Sequence, residues 1–190
     1  FIGAEPIRVS TIDSFLQKFA ASGIRPQVIR PAYGLAESTI ITSMTDPQQI
    51  SHFVCLDADS IGINQPVKVL DKLAFDDPHL SKYDASKSIA VCAAGTAIDD
   101  MLIEIVDENG ETIEQGGVAG EIALTGTSVA LGYVSESDEL IDRFPQGRLR
   151  TGDIGVILDR ELYILERIKN IVIRNGENFL VSALEEQLAN

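Results

Sequence analysis

From position 53 to position 158 the chain is cut into short runs of strand-forming residues parted by turn chemistry. The runs fall at 53–56, 67–70, 89–92, 101–106, 120–124 and 155–158, each rich in apolar residues with at least one that is β-branched. Between them lie Asp107-Glu108-Asn109-Gly110 and Gln115-Gly116-Gly117, residue types that accept the tight backbone of a reversal. Strands this short and this regularly spaced predict a small barrel or sandwich. Within it, 101–107 and 121–125 read as an antiparallel pair. The polar stretch 74–87, which holds Pro78, reads as a loop or an insertion.

The first forty-odd residues follow a different rule. Ile12, Phe15, Leu16, Phe19 and Ala20 recur at helical spacing and form one apolar face, which predicts a helix over 10–21. Ser10 or Thr11 is placed to cap its start, and Gly23 to end it in a left-handed turn. A short strand is predicted at 27–30, stopped by Pro31 and followed by Tyr33-Gly34-Leu35-Ala36-Glu37, with Glu37 at the opening of a helix. Strand, Gly-containing loop and helix make an α/β pattern. At the other end, 171–174 and 179–181 flank Asn175-Gly176-Glu177-Asn178 as a hairpin, and Ser182 with Glu185 forms a capping box for a further helix.

Composition removes several classes of function. With 15 basic and 29 acidic residues the formal charge is −14, a surface that repels nucleic-acid backbones. Any bound nucleotide then needs a cation or local donors to offset its charge. Apolar residues at 45% are enough for a core. Cys55 and Cys92 are too few for a disulfide framework, and with His52 and His79 they do not make a zinc ligand set. Both cysteines read as buried small hydrophobes in a reducing compartment. No apolar run reaches the ~20 residues of a membrane-spanning helix, and the expected location is the cytoplasm. Phe1 is not an initiator methionine, and both ends read as cut from something longer.

Three constellations occur in order along nearly the whole chain. They are Gly3-Ala4-Glu5-Pro6 followed by Tyr33-Gly34-Leu35-Ala36-Glu37; Arg150-Thr151-Gly152-Asp153; and Glu166-Arg167-Ile168-Lys169-Asn170 followed by Arg174-Asn175-Gly176-Glu177-Asn178. Together they resemble the adenylate-forming superfamily of acyl-CoA synthetases, luciferases and peptide-synthetase adenylation domains. The resemblance implies the end of an α/β, parallel-sheet AMP-binding subdomain over 1–45. A small distorted β-barrel follows over 46–166, with an insertion at about 57–88. A hinge and the beginning of a small α+β C-terminal domain occupy 167–190.

The resemblance also implies a role for each motif residue. Tyr33 would offer its ring to adenine, with Gly3, Ala4 and Glu5 as the opposite wall and Gly34, Leu35 and Ala36 continuing the site. Glu37 would be a catalytic carboxylate that ligates the Mg²⁺ bridging the phosphates of ATP; beside a polyphosphate a carboxylate requires such a cation. Asp153 would accept hydrogen bonds from both ribose hydroxyls, a task suited to two coplanar acceptor oxygens. Arg167 would approach ribose and phosphate, and Lys169 and Asn170 would form the hinge. Position 170 is usually Asp in the family; Asn170 keeps the shape and loses the charge.

Tyr33-Gly34-Leu35-Ala36-Glu37, with Gly3 to Arg8 and the long interval between Glu37 and Gly95, resembles the fatty-acyl-AMP ligase branch. Members of that branch activate a fatty acid as acyl-AMP and pass it to an acyl carrier protein, or to a polyketide or peptide synthase, instead of to CoA. The alternatives are an acyl-CoA synthetase and, in another class, a non-catalytic nucleotide- or carrier-protein-binding module. The Gly-rich phosphate loop of the family and its C-terminal lysine have no counterpart in these 190 residues. The chain by itself is therefore expected to be inactive.

Overall fold

The computed structural model describes residues 1–86, 88–134, 140, 141, 144, 147–174 and 177–181. One helix, α1 (Val9–Phe19), precedes β1 (Ala32–Tyr33), β2 (Ser43–Met44), β3 (His52–Leu56), β4 (Val69–Ala74), β5 (Ile89–Cys92), β6 (Thr96–Ala97) and β7 (Met101–Val106). Then come β8 (Gly120–Gly126), β9 (Tyr133–Val134), β10 (Leu140–Ile141), β11 (Leu149–Leu158), β12 (Glu161–Arg167), β13 (Ile171–Arg174) and β14 (Glu177–Leu180). The strands form sheets in the orders β4-β3-β5, β12-β11-β8-β7 and β1-β2-β6, with β9–β10 and β13–β14 as separate pairs. Every one of these pairings is antiparallel.

The described chain is thus an α+β arrangement of antiparallel sheets. The α/β, parallel-sheet expectation for the first 45 residues meets only one parallel link, the bridge between Ile2 and Pro31. The reason is local. β1 returns antiparallel on β2 through the loop 34–42, and α1 packs on one face of the β4-β3-β5 sheet instead of crossing between parallel strands.

β3 explains how these pieces share a core. Its five residues are all buried, and its side chains alternate between two faces. Phe53 and Cys55 join Val9 and Ile12 of α1, with Leu73 and Phe75. Val54 and Leu56 turn the other way, onto Val91, Val156 and Tyr163. A continuous apolar run is what a strand covered on both sides requires. A third cluster, built on Ile122, Leu124, Leu149 and Leu162, receives Tyr33 and Leu35 against it. Burial of each such aliphatic side chain contributes roughly 1.5–3 kcal/mol. That packing welds the 33–35 segment to the large sheet.

Several local expectations change on contact with the structure. α1 begins at Val9, and Arg8 takes the cap position without a side-chain bond, so neither Ser10 nor Thr11 caps it. Gly23 does end the helical segment in the left-handed region, after one 3₁₀ turn. The strand predicted at 27–30 is a 3₁₀ turn, Pro26–Val28, because proline's fixed φ suits the first position of a helical turn. The second β run is displaced to β4, and Val67 instead donates to the carbonyl of Gly117. β11 starts at Leu149, well before the predicted 155.

The stretch 74–87 is anchored by its few apolar groups. Phe75 and Leu80 are buried, and the Tyr83 hydroxyl donates to the Ser88 carbonyl at 2.6 Å and accepts from the Ala90 amide at 2.9 Å. β7 and β8 pair from Met101–Gly126 to Val106–Glu121, as the alternation predicts. The intervening turn is held by Asp107 Oδ1, which accepts from the amides of Asn109 and Glu111. β13 and β14 form the predicted hairpin. Its tip, Asn175-Gly176, and the capping box at Ser182 lie outside the described residues.

Candidate functional site

The site is built around an irregularity in β11. Arg150 pairs with Ala123 and Ile154 with Glu121, so Thr151, Gly152 and Asp153 together face only Ile122. The excess chain must loop out, and Gly152 takes a φ of 74° to allow it, a region that side chains resist. Side chains then satisfy the displaced backbone. Thr151 Oγ1 donates to the Ile122 carbonyl at 2.9 Å and accepts from the Asp153 amide at 3.1 Å. The Gly152 amide donates to Glu121 Oε1 at 3.0 Å. Glu121 is buried, and its other oxygen accepts from Arg150 Nε at 2.8 Å and from Nη2.

The bulge turns the Asp153 carboxylate, itself 5% exposed, toward a cleft of about 250 Å³. Both carboxylate oxygens are engaged. Oδ2 accepts from the Tyr33 hydroxyl at 2.7 Å, and Oδ1 from Arg167 Nε at 2.9 Å. Arg167 is at the end of β12, directly opposite Asp153 in the ladder. Burial, together with the Asp153 charge, pushes the Tyr33 phenol far above its ordinary value. Tyr33 is therefore a permanent donor at any pH near neutrality.

Tyr33 is held from behind. Its carbonyl accepts from the Thr42 amide at 2.8 Å, and the buried hydroxyls of Ser38 and Thr42 meet at 2.7 Å. Between them the chain folds so tightly that a Cβ at Gly34 would lie 1.6 Å from the Ile40 carbonyl oxygen. A Cβ on Gly3 would lie 2.4 Å from the Ala32 carbonyl oxygen. Backbone meeting backbone is enough to demand glycine at both positions.

Of the residues singled out by sequence, Gly3, Ala4, Glu5, Tyr33, Gly34, Asp153 and Arg167 all line this one cleft. Arg8 lines it too and brings, with Arg167, positive charge into an acidic chain. The cleft does not include Leu35, Ala36, Glu37, Lys169 or Asn170. Leu35 packs into the third core cluster. Lys169 and Asn170 form the 3₁₀ turn after β12, where Asn170 Nδ2 donates to Glu166 Oε1 at 3.4 Å. Cys92 lines the cleft, but burial pushes its thiol up, so it serves as a small neutral hydrophobe.

Glu37 sits on a three-residue 3₁₀ turn, Ala36–Ser38, rather than at the opening of a longer helix, because Thr39 and Ile40 take positive φ and end the turn. Its Oε1 accepts from the hydroxyl of Tyr133, and its carbonyl from the Ala130 amide at 2.7 Å. Among the described residues no three His, Cys, Asp or Glu side chains gather as a metal cage. A single half-buried carboxylate is compatible with Mg²⁺ of the kind held by one protein ligand, water and substrate phosphates.

Sequence reading passed over Glu121 and Tyr133. Glu121 sat in a strand pattern as an ordinary polar alternation, and Tyr133 followed a turn with no periodic signal. What makes each of them matter is a partner far along the chain, which no local pattern carries.

No family model matches the chain. It is 29% identical over 201 residues to the long-chain-fatty-acid–AMP ligase FadD32 of Mycolicibacterium smegmatis, covering 96% of this chain and 30% of that protein. It is 30% identical over 199 residues to a 4-hydroxyphenylalkanoate adenylyltransferase of Mycobacterium marinum, covering 98% of this chain and 30% of that protein. Among solved structures, one from a study of the fatty acyl-adenylate ligases of E. coli and L. pneumophila matches with a TM-score of 0.78 and 26% identity, over 97% of this chain and 31% of that one. The L. pneumophila fatty acyl-adenylate ligase in complex with acyl adenylate and pyrophosphate matches with a TM-score of 0.69 and 28% identity, over 87% and 28% of the two chains. The antiparallel sheets match a part of an adenylate-forming enzyme. The chain belongs to the adenylate-forming superfamily, on its fatty-acyl-AMP ligase branch, and spans about 30% of the length of these relatives.

Proposed function

We propose that the intact protein carrying this chain is an ATP-dependent ligase that adenylates a fatty acid and delivers the acyl group to a carrier-protein thiol. The observation that supports this most is the convergence of Tyr33, Asp153 and Arg167 on one cleft. In the reaction, a fatty-acid carboxylate oxygen attacks the α-phosphorus of ATP. The bond from that phosphorus to the bridging oxygen breaks, pyrophosphate leaves, and acyl-AMP remains. Both reactants are anions, so positioning and cationic stabilisation carry the catalysis.

In this reading Tyr33 presents its ring to adenine, against the wall formed by Gly3, Ala4 and Glu5. Asp153 accepts from the ribose hydroxyls, and Arg167 exchanges its contact with Asp153 for one with ribose or phosphate. Glu37 holds Mg²⁺, which when bound neutralises the phosphates and polarises the phosphoryl oxygens. Lys169 and Asn170 act as the hinge between the barrel-like subdomain, 46–166, and the C-terminal domain that starts at 167. The stretch at about 57–88 is the insertion that marks this branch. The protein acts in the cytoplasm, and these residues on their own turn over nothing.

The test uses the intact protein with a fatty acid, ATP and Mg²⁺. Release of pyrophosphate with accumulation of acyl-AMP, unchanged by CoA and discharged by a phosphopantetheinylated carrier protein, is the expected result. Acyl-CoA formation would instead make the protein an acyl-CoA synthetase. ATP binding without pyrophosphate release would make it a nucleotide-binding module.

A further inference from the structure

We infer that Tyr133 is a positioning residue for Glu37: it fixes one carboxylate oxygen so that the other is presented to the metal–nucleotide. The inference rests on the reading of Glu37 as the Mg²⁺ ligand.

The turn that bears Glu37 cannot orient the side chain by itself. It has three residues, too few to supply the field of a helix N-terminus. Its orientation comes from a segment about ninety positions away. The Ala130 amide donates to the Glu37 carbonyl at 2.7 Å, and Thr39 Oγ1 donates to the Ser128 carbonyl at 3.0 Å. These two bonds zip the 36–39 turn to the 128–130 segment. Tyr133, at the start of β9, then reaches the side chain itself and donates its hydroxyl to Glu37 Oε1.

The tyrosine is anchored as a positioning group must be. Its ring packs at a tilt against Phe144, with 5.8 Å between centroids, and Phe144 is 3% exposed. The phenol hydrogen is the donor in this bond, because an ionised carboxylate only accepts. One carboxylate oxygen is thereby committed to the protein, and Oε2 remains for Mg²⁺, which is held by one or two carboxylates together with water and substrate phosphates. Outer partners of this kind orient a metal ligand, and their loss weakens metal affinity without removing the ligand. A merely structural bond between a turn and a loop would not depend on the metal.

The experiment measures equilibrium binding of ATP by titration calorimetry, with and without Mg²⁺, on the intact protein. Wild type, Tyr133→Phe, Glu37→Gln and the double variant are compared. Phenylalanine keeps the ring on Phe144 and deletes only the hydroxyl. The thermal midpoint of each variant shows that it is folded. The expected result is that Y133F binds metal-free ATP as the wild type does and loses about tenfold or more of the gain conferred by Mg²⁺. E37Q loses that gain entirely, and the double variant is no weaker than E37Q. If Y133F keeps the full gain while E37Q loses it, Tyr133 has no positioning role and the reading of Glu37 stands. If E37Q keeps the gain, the reading of Glu37 fails, and the inference goes with it. A loss in Y133F that persists in the E37Q background places the effect of Tyr133 elsewhere and also overturns the inference.

Discussion

The hydroxyl of Tyr33 donates to Oδ2 of Asp153 across 2.7 Å, joining two side chains 120 positions apart in sequence. The bond is enclosed, since Asp153 is 5% exposed and the phenol is raised far above its ordinary pKa by burial and by that carboxylate. On the opposite oxygen, Arg167 supplies the compensating charge. A buried carboxylate with two donors on separate elements fixes the distance between the β1 loop and the large sheet. The width of the cleft follows from it.

Replacing Tyr33 by Phe tests that bond. The ring remains against the third core cluster, but Asp153 loses a donor, which costs about 1–3 kcal/mol of stability. ATP affinity is expected to fall several-fold through the loosened carboxylate. Tyr33→Ala, which removes the ring as well, is expected to cost markedly more affinity. Calorimetric titration of ATP on the intact protein measures both. Equal affinities for the two variants would show that the ring contributes nothing.

Gly34→Ala is expected to act through folding. Its Cβ would meet the Ile40 carbonyl oxygen at 1.6 Å, and the clash is with backbone, which cannot swing aside as a side-chain tip can. A loss of about 3 kcal/mol or more follows from such overpacking. Gly116→Ala provides the comparison, since a Cβ there meets nothing within 4 Å. Its effect is expected to stay within about 0.5 kcal/mol. Urea unfolding of the two variants reads the contrast.

Glu121→Ala removes the acceptor that satisfies both Arg150 and the Gly152 amide. The bulge then has an unpaired amide and a guanidinium without its partner, at a cost of about 2–4 kcal/mol. Because that bulge aims Asp153, ATP affinity should fall together with the melting temperature. Glu121→Gln keeps one carbonyl acceptor and loses the charge, so it is expected to fall between wild type and E121A in both measurements.

His52 gives the chain a pH-dependent stability. It is buried, with Nε2 at 2.7 Å from the Tyr163 hydroxyl and 3.3 Å from Glu161 Oε2. Desolvation lowers its pKa to about 4 from the ordinary 6.5, with Lys72 adding to the shift and Asp159 opposing it. Between those values the unfolded chain takes up a proton that the native chain refuses. Stability is full above pH 6.5 and is lost as pH falls toward 4, by up to about 3 kcal/mol. Glu161, raised by burial, opposes this trend because its native form gains a proton first. The difference in urea midpoint between wild type and His52→Gln at about pH 7.5 and about pH 5 isolates the histidine. A difference that does not change with pH would refute the assignment.

Much of the local architecture was legible in the chain. Strand-forming runs at 89–92 and 101–106 are strands with those bounds, because steric preference and alternation act over a few residues. The Asp107–Gly110 turn and the left-handed Gly23 were legible for the same reason. Misreadings arose where a neighbour overrode local preference. Pro26 turned a predicted strand into a 3₁₀ turn, and the positive φ of Thr39 and Ile40 stopped the helix expected after Glu37.

The order and chemistry of the motif residues were fixed in the covalent chain, and with them the family to which it belongs. Tertiary structure alone decided that Tyr33, Asp153 and Arg167 meet while Glu37 stands apart on the hydroxyl of Tyr133. It also decided that Glu121 carries the bulge beneath Asp153. The physical reason is range. Backbone preference is set by nearest neighbours, whereas a buried carboxylate is stable only beside donors that packing brings from elsewhere.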